Sequence, residues 1–167
     1  MLNVKAFKQP SIKVSGQTSS LCGLTCLRMV LEYYGVKKTE RALMALVTYD
    51  PHLRDNKGAS RLAGAAKRLG FQGKVKDRAT FADIRTYVLK KKIPVIVNWF
   101  SVNEGHYSVV VDIDGTHITL RDPETGRARR MPLNEFEAVW FDFSPHDVRT
   151  PKSLVAQRMI VIANLGI

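Results

Sequence analysis

Cysteine is scarce in this chain. Cys22 and Cys26 are the only two among 167 residues, and they stand four apart. A disulfide scaffold needs well-separated pairs, and a zinc site needs further ligands nearby in sequence, so neither is predicted. His52, His106, His117 and His146 are scattered without ligand spacing, and no metal or other cofactor is expected. Two thiols suit a reducing compartment. Long apolar runs are missing too. The longest, Ile93 to Phe100, contains Pro94 and Asn98 and falls well short of the roughly 18 residues that span a bilayer. It reads as a buried strand. Met1 to Lys13 carries Lys5, Lys8 and Lys13 without an apolar centre, so no secretion signal is predicted there and the cytoplasm is the expected compartment.

Negative charge is in short supply: 15 acidic residues face 26 basic ones, for a net charge of +11. Such an excess raises nucleic acid, an anionic membrane or an acidic protein as partner. The densest basic runs are Lys37/Lys38, Lys90 to Lys92, and Arg127 to Arg130. None is interleaved with aromatics and no nucleic-acid-binding motif accompanies them, so a solvated face or a protein-partner patch is the expected meaning. The balance of 45% hydrophobic and 25% charged residues is that of an ordinary globular protein. The length suits one domain, standing alone or cut from a longer polypeptide.

Residues 1–16 are polar and read as an extended segment, with one domain over 17–167. From Cys22 to Tyr34 the apolar residues Leu24, Leu27, Val30, Leu31 and Tyr34 recur at helical spacing, and Gly35 ends the run. Thr39 reads as the N-cap of a second helix to Val47, closed by Asp50-Pro51. A third spans Ser60 to Leu69 and stops at Gly70. Thr80, with Asp83 three residues on, opens a fourth that ends in Lys90-Lys91-Lys92. The texture then changes to strands: Pro94–Phe100, a turn at Asn103-Glu104-Gly105, His106–Ile113, a hairpin turn at Asp114-Gly115, and Thr116–Arg121. A turn over 122–126, a short helix from Leu133 to Ala138, strands at Val139–Phe143 and Arg158–Asn164, and a surface loop from Ser144 to Ser153 complete the reading. Helices packed on a following antiparallel sheet make an α+β fold.

Three residues carry candidate chemistry. Cys22 stands where a loop turns into the first helix, and the unpaired N–H groups and partial positive charge there favour a thiolate. Gly23 beside it leaves room for a substrate backbone, whereas Cys26, one turn deeper, reads as core. His106 opens a strand beside a tight turn. With a turn at Asp114-Gly115, its partner across the hairpin falls near residue 123, which brings Asp122 alongside. A carboxylate there would hold the imidazole tautomer and stabilise the imidazolium. Gln17, five residues before Cys22, offers a side-chain amide that, with the Cys22 backbone N–H, would bind an oxyanion. Trp99 and Tyr107 are candidate cleft walls. Each feature alone also has a plain reading: a small buried thiol, a capped strand end, an Asp-Pro turn and a solvent-facing glutamine.

Taken in order, Gln17-Thr-Ser-Ser-Leu-Cys22-Gly23, Leu27 through Gly35 with Tyr33-Tyr34-Gly35, Gly105-His106-Tyr107-Ser108-Val109-Val110-Val111, Asp122-Pro123 with Gly126, Glu135-Phe136 and Trp140 resemble the bacteriocin-processing, double-glycine peptidases. These form a branch of the papain-like cysteine peptidase superfamily. The resemblance covers roughly residues 17–143. It implies a papain-like α+β fold and cleavage after a Gly-Gly pair, with Cys22 as nucleophile, His106 as base, Asp122 as orienting acid and Gln17 as oxyanion donor. The family's glutamine usually stands six residues ahead of the cysteine, against five here. Transporter-linked members carry membrane-spanning and nucleotide-binding parts that this sequence lacks. Stand-alone domains of this type also act as toxic effectors delivered into competing bacteria by secretion systems, and a very basic domain would then suit an acidic immunity protein. Three other functions remain open: deamidation or transamidation with the same residues, a catalytically silent peptide-binding module, and, least favoured, a nucleic-acid binder.

Overall fold

A computed structural model describes residues 20–48, 58–102, 104–143 and 149–164. The first helix, α1 (Ser20–Tyr33), is buried almost all round: Leu24, Cys26, Leu27, Met29, Val30 and Leu31 lie inside, while Arg28, Glu32 and Tyr33 reach the surface in part. A helix apolar on every side belongs in the middle of a molecule. Burying each of its large side chains contributes about 1.5–3 kcal/mol, enough to seat it firmly. Gly35, at φ +81°, turns the chain out of it. The predicted cap of α2 (Glu40–Thr48) is present, with the Ala42 N–H donating to Thr39 Oγ1 at 3.2 Å. The next helix, α3 (Gly58–Arg68), buries a face of small residues, Ala59, Leu62, Ala63, Ala65 and Ala66. That face lets β1 (Phe71–Lys76) approach so closely that a Cβ at Gly73 would land on the Ala63 backbone. The capping box at Thr80 and Asp83 opens α4 (Phe81–Arg85), which continues as one π-helical turn over Thr86–Lys90.

Then follow β2 (Val95–Ser101), β3 (Glu104–Ile113), β4 (His117–Arg121), β5 (Ala128–Pro132), α5 (Leu133–Val139), β6 (Phe141–Phe143), β7 (Leu154–Ala156) and β8 (Met159–Asn164). Six strands form one sheet in the order β1-β8-β2-β3-β4-β5, every neighbouring pair antiparallel, and β6 with β7 forms a separate ribbon. The helix α1 packs on β3, and α3 packs on β1 and β8. Phe81, Trp99, Phe136 and Trp140 form an aromatic cluster between α4, α5 and the sheet. The predicted α+β arrangement of helices on an antiparallel sheet is the one observed. Among the described residues, no helix is long and apolar enough to cross a membrane.

Several details differ from the sequence reading. The edge strands β1 and β5 were not expected, because Phe-Gln-Gly-Lys-Val-Lys and Ala-Arg-Arg-Met-Pro carry too few apolar residues to signal strands. The β3 strand begins at Glu104, so His106 is the third residue of its strand and does not open it. The turn after β3 is Gly115-Thr116. Asp114 stays in position before it by accepting hydrogen bonds at Oδ1 from the Thr116 and His117 N–H groups, both at 2.7 Å. A bulge between Val110 and Asp112 then removes part of the resulting offset. Finally, α5 runs on through Val139, which shortens the strand expected there to Phe141–Phe143. The segment 1–16, Gln17, and residues 144–148 of the expected surface loop lie outside the described residues.

Candidate active site

The carboxylate end is built by a five-residue turn. The Asp122 N–H donates to the Arg127 carbonyl at 3.0 Å, and the Gly126 N–H donates to the Asp122 carbonyl at 2.8 Å, with Gly126 at φ +64°. Asp122 Oδ1 accepts from the backbone N–H groups of Glu124 and Thr125 at 2.9 and 3.0 Å. That anchors one oxygen and leaves Oδ2 to meet His106 Nε2 at 3.0 Å. Burial alone would raise the Asp122 pKa. The hydrogen bond from His106, the Thr125 N–H and the imidazolium charge outweigh it and hold the carboxyl at about 2.

His106 is 7% exposed. Its ring meets Trp99 edge-on, with centroids 5.6 Å apart, and the Trp99 indole N–H is anchored on Ser108 Oγ at 3.1 Å. With Nε2 occupied by the carboxylate, Nδ1 is the nitrogen left for sulfur, and the ring is hydrogen-bonded to Cys22. Burial lowers the pKa of His106. The hydrogen bonds to Asp122 and Cys22, and the charges on both, overcome that and bring it to about 10.

Cys22 is the third residue of α1, inside the first turn, where backbone N–H groups lack intrahelical acceptors. It is 5% exposed. Cys26, one turn deeper, is fully buried, and its pKa is pushed well up by that burial and by the charges of Cys22 and Asp122. The structure thus brings Cys22, His106 and Asp122 together as sulfur, imidazole and carboxylate. The site lies where α1 starts and the β3–β4 hairpin ends.

The other predicted residues fare differently. A Cβ at Gly23 would sit 3.0 Å from Leu62 Cδ1 and 3.3 Å from Tyr107 Cδ2, so the space beside it is filled by protein. Its smallness serves the seating of α1, not a substrate backbone. Tyr107 packs under Gly23, and burial raises the pKa of its phenol. Trp99, at 3% exposure, lies beneath His106, with the Arg129 guanidinium 5.3 Å from its ring centroid. It supports the histidine and forms no open wall.

Sequence reasoning missed Asn98 and Asp142. Asn98 Nδ2 donates to Asp142 Oδ2 at 2.9 Å and to the His106 carbonyl at 3.3 Å, and a Cβ at Gly105 would land on the Asp142 carboxyl. The pair braces β3 at the histidine. Burial raises the Asp142 pKa against the Asn98 hydrogen bond, the Phe143 N–H and nearby arginines. The available signal was an asparagine inside an otherwise apolar strand.

Comparison with known proteins gives the family and the fold. The lactococcin-G-processing and transport ATP-binding protein LagD of Lactococcus lactis subsp. lactis is 30% identical over 122 residues, 71% of this chain. The chain corresponds to only 16% of that relative's length. The peptidase domain of Streptococcus ComA, described as a bifunctional ABC transporter of a quorum-sensing pathway, superimposes with a TM-score of 0.63 at 21% identity, covering 89% of this chain and 95% of that domain. A double glycine motif protease from an AMS/PCAT transporter, solved in complex with the leader peptide, gives 0.59 at 20% identity over 95% and 93%. Those two likenesses establish the fold. The model of the peptidase C39 family matches residues 11–144, so this chain belongs to the peptidase C39 family and is a cysteine peptidase.

Proposed function

We propose that the chain cleaves peptide substrates after a Gly-Gly pair by a Cys22-His106-Asp122 triad. The observation that carries this reading is the His106 ring held by Asp122 at 3.0 Å, with Cys22 near enough to raise the pKa of the ring. The Cys22 sulfur attacks the scissile carbonyl as the thiolate partner of the His106 imidazolium. His106 then gives its proton to the leaving amine, and water activated by the same ring releases the acyl-enzyme. Asp122 keeps the ring oriented throughout, its own rotation blocked by the Glu124 and Thr125 N–H groups. The Cys22 backbone N–H and the Gln17 amide are the proposed oxyanion donors.

The double-glycine preference draws on the relatives: one is named for processing lactococcin G, and another is a double glycine motif protease crystallised with its leader peptide. A leader peptide is accordingly the proposed substrate. The effector role and the acidic immunity partner rest on the family resemblance and on charge, whereas relatives are named for processing or solved with a leader peptide, so leader processing is the preferred reading.

The test incubates wild-type and Cys22→Ala proteins with a peptide carrying a central Gly-Gly pair and with the same peptide carrying Gly-Val. Wild type is expected to yield two fragments from the first only, and Cys22→Ala none from either. A mass gain of about one dalton without scission would reassign the triad to deamidation. Cleavage undiminished in Cys22→Ala would end the proposal.

A further inference from the structure

The fold gathers two of the three basic runs at one end of the molecule. Tyr33, the last residue of α1, donates from its hydroxyl to the Lys92 carbonyl at 2.8 Å, which fastens Lys90-Lys91-Lys92 beside the end of that helix. Lys37 and Lys38 follow the same helix end by a few residues. The neighbouring Tyr34 ring packs 5.4 Å from Phe71, which follows Lys67 and Arg68, at the end of α3, by four and three residues. Seven basic side chains from three helix ends therefore share one pole, and all are exposed. Among the described residues, no carboxylate lies within ion-pair distance of Lys37, Lys38, Lys67, Lys90, Lys91 or Lys92. Of the nearby acids, Glu32 is engaged by Arg28 at 3.5 Å and Asp114 by Arg130 at 2.9 Å. Glu40 offsets one charge of the seven.

This pole is far from the chemistry. Cys22 is at the opposite end of α1, a helix of 14 residues and therefore about 21 Å long. A surface held at the pole would leave the cleft open to solvent.

We propose that this pole docks the protein on an anionic lipid surface. Lysines dominate it, and lysine is a compact, strongly hydrated point charge, suited to a diffuse sheet of negative headgroups. It is also depleted from protein–protein interfaces, which build their centres from aromatic and arginine anchors. Binding of single-stranded nucleic acid calls for rings on which bases stack. Here Phe71 is buried, Tyr33 and Tyr34 are half-buried against each other, and Lys91 lies over Tyr87. Clusters of four to eight basic residues are enough for a charged membrane, and each strengthens binding by about fivefold. The pole acts through charge, so the association is peripheral and salt-sensitive.

The test is co-sedimentation of the full chain with vesicles of phosphatidylcholine alone and of phosphatidylcholine with about 30% phosphatidylglycerol, at low and at high salt. Wild type is expected to pellet with the anionic vesicles only, and to be released at high salt. Lys90→Glu/Lys91→Glu should weaken that binding about tenfold or more, whereas Arg127→Glu/Lys152→Glu, an equal change of charge elsewhere, should leave it within about threefold. Both pairs are exposed, and matching thermal melts establish that the variants are folded. Equal binding to neutral vesicles, equal weakening by both variants, or no binding at low salt would each overturn the proposal. Tighter binding to a single-stranded oligonucleotide than to the anionic vesicles at the same salt would give the pole to nucleic acid and overturn it too.

Discussion

His106 and Asp122 stand 16 residues apart on one hairpin, and the turn after β4 orients the carboxylate by its own backbone N–H groups. Cys22 lies far away in sequence and reaches the ring only because α1 is buried in the core and seated on Leu62 and Tyr107 at Gly23. One half of the site is thus assembled by local chain chemistry and the other by long-range packing. Substitutions should separate the two. Changes to the reacting groups of the hairpin should cost rate with little cost in stability. A change at Gly105, where an added Cβ meets the Asp142 carboxyl, should cost stability first.

The largest effect on the hairpin side is expected at the ring itself. His106→Ala should lower kcat/KM by on the order of 10⁴-fold, because both proton transfers of the proposed mechanism pass through that residue. Asp122→Asn should cost roughly 10²-fold, since an amide can still touch Nε2 but does not stabilise the imidazolium. Kinetics on a Gly-Gly peptide, with circular dichroism to confirm folding, measures both. An Asp122→Asn loss as large as that of His106→Ala would mean that the carboxylate does more than orient.

A smaller effect, and one that falls on stability, is expected at Gly105. An added Cβ must push away the Asp142 carboxyl, which is held by Asn98 at 2.9 Å and by the Phe143 N–H at 2.7 Å. Gly105→Ala should therefore cost about 1–3 kcal/mol, read as a lowered Tm. Removing the obstacle in Gly105→Ala/Asp142→Ala should recover part of that loss, so that the two changes are not additive. Additive losses would show that the Asn98–Asp142 pair does not brace β3.

This division also explains what could be read in advance. Cys22, His106 and Asp122 were legible because a helix start, an apolar strand and an Asp-Pro turn are local patterns, and a hairpin relates its two strands by arithmetic. The arithmetic was imperfect: Asp114 entered an Asx turn and a bulge followed, yet a side chain's reach absorbed the difference. The edge strand β5 was illegible because it carries little apolar content of its own, and β1 because its partner, β8, also lies far along the chain. Gly23 was misread for the same reason. Leu62 and Tyr107, which fill its space, come from α3 and β3, and no local pattern announces such a contact.

Gly23 therefore supplies the packing counterpart of the hairpin variants. The nearest atom to an added Cβ is the tip of a leucine at 3.0 Å, which can yield, so Gly23→Ala should cost only about 1 kcal/mol. Its signature should be kinetic, with kcat reduced as the Cys22 turn shifts, and KM little changed. Loss of stability as large as in Gly105→Ala would place more strain at the helix than the contacts indicate.

Proton linkage acts on the two members of the hairpin with opposite sign. The pKa of His106 is raised in the fold, from 6.5 to about 10, so its contribution to stability is complete below about pH 6.5 and drains away as pH rises toward 10. Asp122 is lowered, from 3.8 to about 2, so its contribution is complete above about pH 3.8 and is lost as pH falls toward 2. The wild-type Tm should therefore decline from pH 6.5 to 10, and His106→Gln should flatten that limb while leaving the acid limb in place. Asp122→Asn should flatten the acid limb, and it should also shrink the alkaline one, because part of the histidine's shift comes from the carboxylate. An alkaline limb untouched in Asp122→Asn would mean that sulfur alone keeps the imidazolium charged, and that the hairpin is less self-sufficient than its hydrogen bonds imply.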